Sequence, residues 1–461
     1  MAEPPAKQSR RGRGASRDPQ AQSAQGPRRS ADHQGGPDPA DLQDRSESGD
    51  PRGSPQGNAP HGKRRRMSDD PRNGLLTWIE IDEQALVDNI GGFRRRLAPG
   101  VLLQAVVKSN AYGHGLEQVS RIAARCGADG FGVHTVEEAE ALASLGLGRP
   151  ILILGYIARA HAARVVGSAA EATVYNPETL EALSAAAAAA GKKIRCHLKI
   201  ETGVHRQGIP AEEIDPFLDR LLSLPHLIPA GVSTHFANIE DTTDHSYAMR
   251  QLEAFRAAAD RVRSRAPGAM RHCACSAAVL TMRETFFEMV RVGIGLYGLW
   301  PSKETLLSCL LEDAEPAPLR QVMTWKARIA QIKSAAAGAY IGYGCTYRAT
   351  RPTRLAVLPI GYADGYDRRL SGIGHLLIRG RRAPVLGRIC MNIVMADVTD
   401  IPEARLEDEA VLIGRQGAEE IAVSQVAQQC NTIAYEIVAR IAPQIPRLVV
   451  GRRPAATEDD G

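Results

Sequence analysis

The chain of 461 residues has no run of eighteen or more apolar residues, and even its alanine run at 185–190 stops at Gly191-Lys192-Lys193. A membrane-spanning helix is therefore excluded. Aromatic residues are few, at 5%, while hydrophobic residues at 44% and charged residues at 24% are ordinary for a globular chain. The eight cysteines (126, 196, 273, 275, 309, 345, 390 and 430) include no CxxC pair, and no two histidines have the His-x-x-x-His spacing. A zinc site and a disulfide scaffold are excluded on that pattern, and dispersed thiols fit a reduced, cytoplasmic protein. The N-terminal MAEPPAKQSRRGRGAS has positive charge but no apolar segment behind it, so it does not read as a secretory signal. The net charge of +5 is concentrated in the first 74 residues, which hold 14 Lys/Arg against 10 Asp/Glu. The remainder is nearly neutral, which argues against a nucleic-acid partner.

The length suggests two or three domains. From Met1 to about Gly74 the chain is mostly Arg, Gly, Pro, Ser, Gln and Asp, and Leu42 is its only Val, Ile, Leu or aromatic residue. Nothing there offsets the entropy of ordering, so residues 1–74 are expected to form a disordered tail. The run Lys63-Arg64-Arg65-Arg66 reads as solvated charge. Order begins at LLTWIEID (75–82), and strand-like runs follow at 102–109, 130–135, 151–155, 172–176, 195–201, 230–237, 272–276 and 289–298. Helical patterns lie between them. Thr135-Val-Glu-Glu138 has capping-box spacing, and Asn176-Pro177 supplies an N-cap and first-turn proline to a helix that Gly191 closes. About eight apolar strands, each followed by a helix, imply an α/β fold, a parallel (β/α)8 barrel over 75–314. The competing doubly wound sheet lacks a GxGxxG after its first strand. Residues 315–450 change texture to short strands with Gly, Pro and Asp turns, and read as a mainly β C-terminal domain with one helical segment at SQVAQQCNTIAYEIVARI. Residues 451–461 read as a flexible C-terminus.

The first barrel strand delivers Lys108 into the loop of AVVKSNAYGHG (105–115). C-terminal strand ends form the mouth of a barrel, and a lysine at the rim of its low-dielectric core has a lowered pKa and can form a Schiff base. From this motif alone, a lysine snorkelling from a strand end is an equal reading. Further motifs follow in order: HLKIETGVHRQGI (197–209), STHFANIED (233–241), HCACSAAVL (272–280) and MVRVGIGLYG (289–298). The second domain adds IGYGCTYRATR (341–351), LPIGYADGYDRRL (358–370), GRICMNIVMADVTD (387–400) and NTIAYEIVARIAPQIPR (431–447).

Taken together, from about Leu76 to Val449, these motifs resemble the alanine racemase family, two-domain barrel enzymes that depend on pyridoxal 5'-phosphate. The resemblance implies an isomerase that interconverts L-alanine and D-alanine, supplying D-alanine for peptidoglycan. It implies that Lys108 carries the cofactor and serves as one base, and that Tyr343 of the partner subunit is the other, in a homodimer with shared active sites. Two positioned bases of different type let either enantiomer react. Arg291 would face the pyridine nitrogen. Because arginine only donates, that nitrogen would stay unprotonated, which favours simple reprotonation over transamination. Tyr112, Ser276 and the backbone of Gly293 and Ile294 would hold the phosphate, consistent with the last βα loops of a barrel. Arg206 would contact the substrate carboxylate, held by Lys199, which the family carbamylates. Met391 would line the substrate pocket from the partner, and His114 and His235 would support the site from behind.

Some positions leave the family's commonest pattern. The chain reads Glu201-Thr-Gly-Val-His-Arg206-Gln-Gly, Cys275 stands where Asn is usual, and Asn392 replaces Asp. Ala442-Pro443 stands where a Ser-Tyr is frequent, which opens alanine exclusivity to question. A broader amino-acid racemase that tolerates serine is thus one alternative. A pyridoxal-dependent decarboxylase fits less well with Arg291, and a non-catalytic pyridoxal-phosphate-binding protein would lack the second domain.

Overall fold

The computed structural model describes residues 70–312 and 319–451. Of the expected tail, residues 1–69 lie outside the described residues, as do 452–461 of the C-terminus. Asp70–Gly74 form a turn closed by Asn73 N–H on Asp70 O at 2.9 Å, and Arg72 pairs with Asp70 at 2.9 Å and approaches Glu80 at 3.7 Å. No helix among the described residues is long and apolar enough to cross a membrane.

Nine strands lead from here through the barrel: β1 (Thr77–Asp82), β2 (Leu102–Val106), β3 (Gly130–Val133), β4 (Ile151–Ile153), β5 (Glu171–Val174), β6 (Ile194–Lys199), β7 (Leu227–Ser233), β8 (Met270–His272) and β9 (Met289–Val292). All eight barrel strands are parallel neighbours in the order β8-β7-β6-β5-β4-β3-β2-β9. The Arg291 N–H reaches Ala274 O at 3.0 Å, which nearly closes the ring. Every residue of β3, β4 and β9 is buried, as expected where helices cover the outside and side chains fill the inside. The capping box at Thr135 and Glu138 is present in full, and helix Pro177–Ala189 begins and ends at the expected signals.

The strand at the start of the ordered chain does not belong to the barrel, contrary to its expected place in 75–314. β1 pairs antiparallel with Met323–Arg328 and parallel with Arg447–Val450, inside the seven-stranded sheet of the second domain. The physical reason is edge saturation. The eight later strands nearly close the barrel by themselves, whereas β1 supplies buried Trp78, Ile79 and Ile81 to a sheet that also buries Trp325. A three-stranded sheet and the hairpin Tyr340–Ile341/Tyr347–Arg348 complete the β-rich domain. The expected single helix near 424–441 is two, Val423–Gln429 and Ala434–Ala439, with Asn431 between them at φ 49°.

The junction of the two domains depends on Gly298, which has φ +75° and whose added Cβ would lie 1.7 Å from Arg320 O. Left-handed strain and overpacking against rigid backbone together should make Gly298→Ala cost about 3 kcal/mol or more. A thermal melt of the variant should show a clearly lowered midpoint; an unchanged midpoint would contradict this packing.

Candidate active site

The β2 strand buries Leu103–Val107 and then releases a half-buried Lys108. Ser109, Asn110, Ala111 and Tyr112 follow with φ of 55°, 54°, 52° and 53°, a left-handed turn without a glycine. Each such residue costs about 1–2 kcal/mol, so the turn persists only because its surroundings hold it. Ala111 N–H donates to Val107 O at 2.8 Å, Gly113 N–H to Ser109 O at 3.0 Å, and Leu116 N–H to Asn110 Oδ1 at 2.8 Å. The capping carboxylate of Glu138, in the first turn of the helix after β3, reaches across to accept Ser109 N–H at 2.5 Å as well as His134 N–H at 2.7 Å. Burial, followed by the positive charge of Arg206 and Arg291, lowers the Lys108 pKa, with Glu138 opposing. That shift favours the neutral amine, the form needed for attack on a carbonyl or for taking a proton.

A second group of atoms converges from the β2, β8 and β9 loops. Ser276, buried at the start of the short helix after β8, accepts Gly293 N–H at 3.0 Å and Gly295 N–H at 3.3 Å on its hydroxyl. A Cβ on Gly293 would sit 2.6 Å from the Tyr112 hydroxyl oxygen, so glycine leaves the space in which that phenol and these amides face each other. Ile294, also buried, continues the same turn. The Tyr112 ring lies 5.1 Å from that of Tyr297 and 6.1 Å from that of Tyr435. Burial pushes the Tyr112 and Tyr435 phenols up, which keeps both as hydrogen-bond donors at ordinary pH. His114 stacks on Tyr297 at 4.4 Å and holds Tyr112 O at 2.9 Å through Nδ1; burial takes it down to about 4.

Arg291, on β9, is buried and has no carboxylate partner among the described residues. Its guanidinium donates to Thr234 O at 2.8 Å, His272 O at 2.7 Å and His272 Nδ1 at 2.6 Å. Since arginine can only donate, His272 Nδ1 must accept and its Nε2 must carry the proton. That proton faces His197 Nδ1 at 2.9 Å, and His197 Nε2 in turn faces Glu171 at 2.6 Å. Burial pushes the Glu171 carboxyl up, but the hydrogen bonds from His197 and Arg195 outweigh it and hold it below the usual range. Every donor in this buried row thus points away from Arg291, so the row sets no N–H against the guanidinium.

The mouth gathers basic side chains. Burial and the charges of Arg291 and Arg206 take Lys199 well below its usual value, and His235 is lowered by burial and by Lys199, Arg291, Arg206 and Lys108. Arg206 is exposed on the loop after β6, which Glu201 shapes by accepting Gly203 N–H at 2.5 Å and Val204 N–H at 2.8 Å. Such a cluster suits a doubly charged phosphate and a carboxylate.

The structure therefore brings Lys108, Tyr112, Lys199, Arg206, His235, Ser276, Arg291, Gly293 and Ile294 to one end of the barrel. It does not bring Tyr343 or Met391 into hydrogen-bonding contact with them. These two lie on the second domain, 70% and 57% exposed, beside exposed Tyr340 and Ile393. Sequence reasoning missed the Glu138 clamp, the row His272-His197-Glu171, and Tyr297, whose hydroxyl donates to Val106 O at 2.9 Å. The two histidines stood in quoted motifs, but they meet only because β6 and β8 flank β7, whose Gly231 leaves room for the His197 ring; Glu171 had no signal.

Comparison with known proteins gives a consistent result. The family profiles described as alanine racemase, N-terminal domain, and alanine racemase, C-terminal domain, match residues 81–301 and 322–449. An alanine racemase of Leptospira interrogans is 38% identical over 377 residues, covering 81% of this chain and 96% of the relative. One from Syntrophobacter fumaroxidans is 41% identical over 365 residues, covering 79% and 95%. Among solved structures, the alanine racemase of Bacillus anthracis with bound L-Ala-P superposes with a TM-score of 0.75 at 33% identity, covering 82% of this chain and 96% of that one. That of Streptomyces lavendulae gives 0.74 at 35% identity, covering 82% and 98%.

Proposed function

Because the chain belongs to the alanine racemase family, we propose that it interconverts L-alanine and D-alanine with pyridoxal 5'-phosphate, in a homodimer. The observation that carries this reading is the convergence of a desolvated amine, a phenol-and-amide cradle and a donor-only guanidinium at one barrel mouth. These three match the aldehyde, the phosphate and the ring nitrogen of that cofactor. When bound, the cofactor supplies the electron sink that acidifies the α-C–H of an amino acid.

The chain's own residues do the rest. Ser276, Tyr112 and the N–H groups of Gly293 and Ile294 would hold the phosphate. Arg291, kept charged and oriented by its row of histidines, would donate to the ring nitrogen and leave it unprotonated. Arg206 would bind the substrate carboxylate. The desolvated Lys199 amine, lying among arginines, is the form that accepts a carbamyl group, and the negative charge so made would hold Arg206 in place. The Lys108 amine takes or returns a proton on one face of the substrate's α-carbon, and Tyr343 of the partner subunit does so on the other. Exposure of the large side chains Tyr343 and Met391 supports a surface completed by a second copy, whose own barrel would receive them. The D-alanine formed would serve peptidoglycan. Chiral analysis of L-alanine incubated with the purified protein, read beside the cofactor's absorbance, tests the proposal: D-alanine should form only with the cofactor bound.

Substrate width follows from the segment around Pro443. Pro443 is exposed, and no phenol stands at that position, while Tyr435 packs 6.1 Å from Tyr112 nearby. A pocket that must reject one added hydroxyl discriminates by only about 10–200-fold. Alanine should stay preferred while serine is racemised measurably. Side-by-side kcat/KM values decide it, and undetectable serine turnover would mean that Tyr435 keeps the pocket closed.

A further inference from the structure

Arg447 begins the last strand of the second domain and is 8% exposed. It has no carboxylate partner among the described residues, and burial pulls it down to about 10. All of its donors instead go to carbonyls. Nε and Nη2 grip the Gly113 carbonyl at 3.1 and 2.9 Å, and Nη1 holds Ala442 O at 2.8 Å, Pro443 O at 2.9 Å and Ile445 O. Its backbone is held too, because Gln118 Nε2 donates to Arg447 O at 3.4 Å.

The Gly113 carbonyl lies one residue beyond the left-handed turn Ser109–Tyr112, and Glu138 holds that turn at its other end through Ser109 N–H. Gly113 itself has φ +80°, and a Cβ there would meet Val438 O at 2.0 Å, so the loop is pressed against the helix Ala434–Ala439. Without a hold on the Gly113 carbonyl, the C-terminal end of this strained turn would keep only its local hydrogen bonds and would relax toward ordinary backbone angles. Relaxation would carry Tyr112 away from Gly293 and change where Lys108 projects.

We infer that Arg447 is a positioning residue for the cofactor loop: its forked grip on Gly113 O joins the C-terminal segment 441–445 to the turn that presents Lys108 and Tyr112. A buried charge satisfied only by carbonyls is costly unless every donor is met, so the guanidinium enforces one arrangement of both segments. Lysine has the charge but not the planar fork and cannot bridge the same carbonyls. The inference rests on the reading of Lys108 as the cofactor lysine.

The test uses the holoenzyme with pyridoxal 5'-phosphate and the variants Arg447→Met and Arg447→Lys. Loss of a charge-assisted bond to the loop should speed cofactor release on dilution by about tenfold in Arg447→Met. Arg447→Lys should be intermediate. Amide exchange should rise in the peptide spanning 108–116 more than elsewhere, and kcat should fall while KM for L-alanine stays near the parent value, because Arg206 is untouched. Parent-like cofactor release and exchange in folded Arg447→Met would overturn the inference. So would exchange raised uniformly along the chain, or failure of both variants to fold, since each would make Arg447 a general folding residue. Lys108→Ala is run in parallel: if it still binds cofactor covalently, the reading of the site fails whatever Arg447 does.

Discussion

Lys108→Ala should abolish racemisation and leave no cofactor that borohydride can fix to the protein. The effect is expected to be the largest of any single substitution because the proposed function gives one amine two duties. As a base alone it would contribute about 10²–10⁴-fold, and as the covalent anchor it would determine whether the cofactor stays at the mouth at all. The structure explains why no neighbour can substitute. Lys199, the other lysine of the cluster, is the last residue of β6 and lies among Arg291 and Arg206, whereas Lys108 alone opens the left-handed turn that carries Tyr112. Borohydride reduction followed by peptide mass analysis checks it. Cofactor found on another lysine, or still fixed to the variant, would show the assignment to be wrong.

Mixing Lys108→Ala with Tyr343→Phe should restore activity that neither variant has alone. If each barrel uses its own Lys108 and Tyr343 of the partner subunit, a hybrid dimer contains one site with both groups intact and one with neither. Random exchange would then return about a quarter of the parent activity, since half the dimers are hybrids and each has one working site. The exposure of Tyr343 at 70%, on a hairpin turn of the second domain, is the structural motive for this experiment. No recovery after demonstrated subunit exchange would place both bases within one chain.

How far the sequence could be read depended on whether a feature is local. All eight barrel strands were visible as apolar runs because strands covered on both faces need no alternation, and the helix between 135 and 144 announced itself by its capping box. The placement of β1 was not visible. Its residues look like any buried strand, and only the closure of the barrel by eight later strands sends Trp78 and Ile79 to the second sheet. Lys108, Ser276 and Arg291 were legible as candidates because each stands in a motif with distinctive neighbours, in or just after a barrel strand. The row from Arg291 through His272 and His197 to Glu171 joins residues 171 to 291 across the barrel interior, and the grip of Arg447 on Gly113 spans 334 positions. Contacts of that kind follow from topology, which no single motif encodes. The left-handed turn at Ser109–Tyr112 was hidden for another reason: it uses none of the glycines that normally signal positive φ.

The most direct test of the central claim is to incubate the holoenzyme with L-alanine in deuterium oxide and resolve the product by chirality and mass. Proton exchange at the α-carbon through Lys108 and Tyr343 of the partner subunit predicts D-alanine carrying one deuterium at that carbon, with the mixture approaching equal amounts of the two enantiomers. Pyruvate or ethylamine in place of D-alanine, or D-alanine that has gained no deuterium, would contradict it.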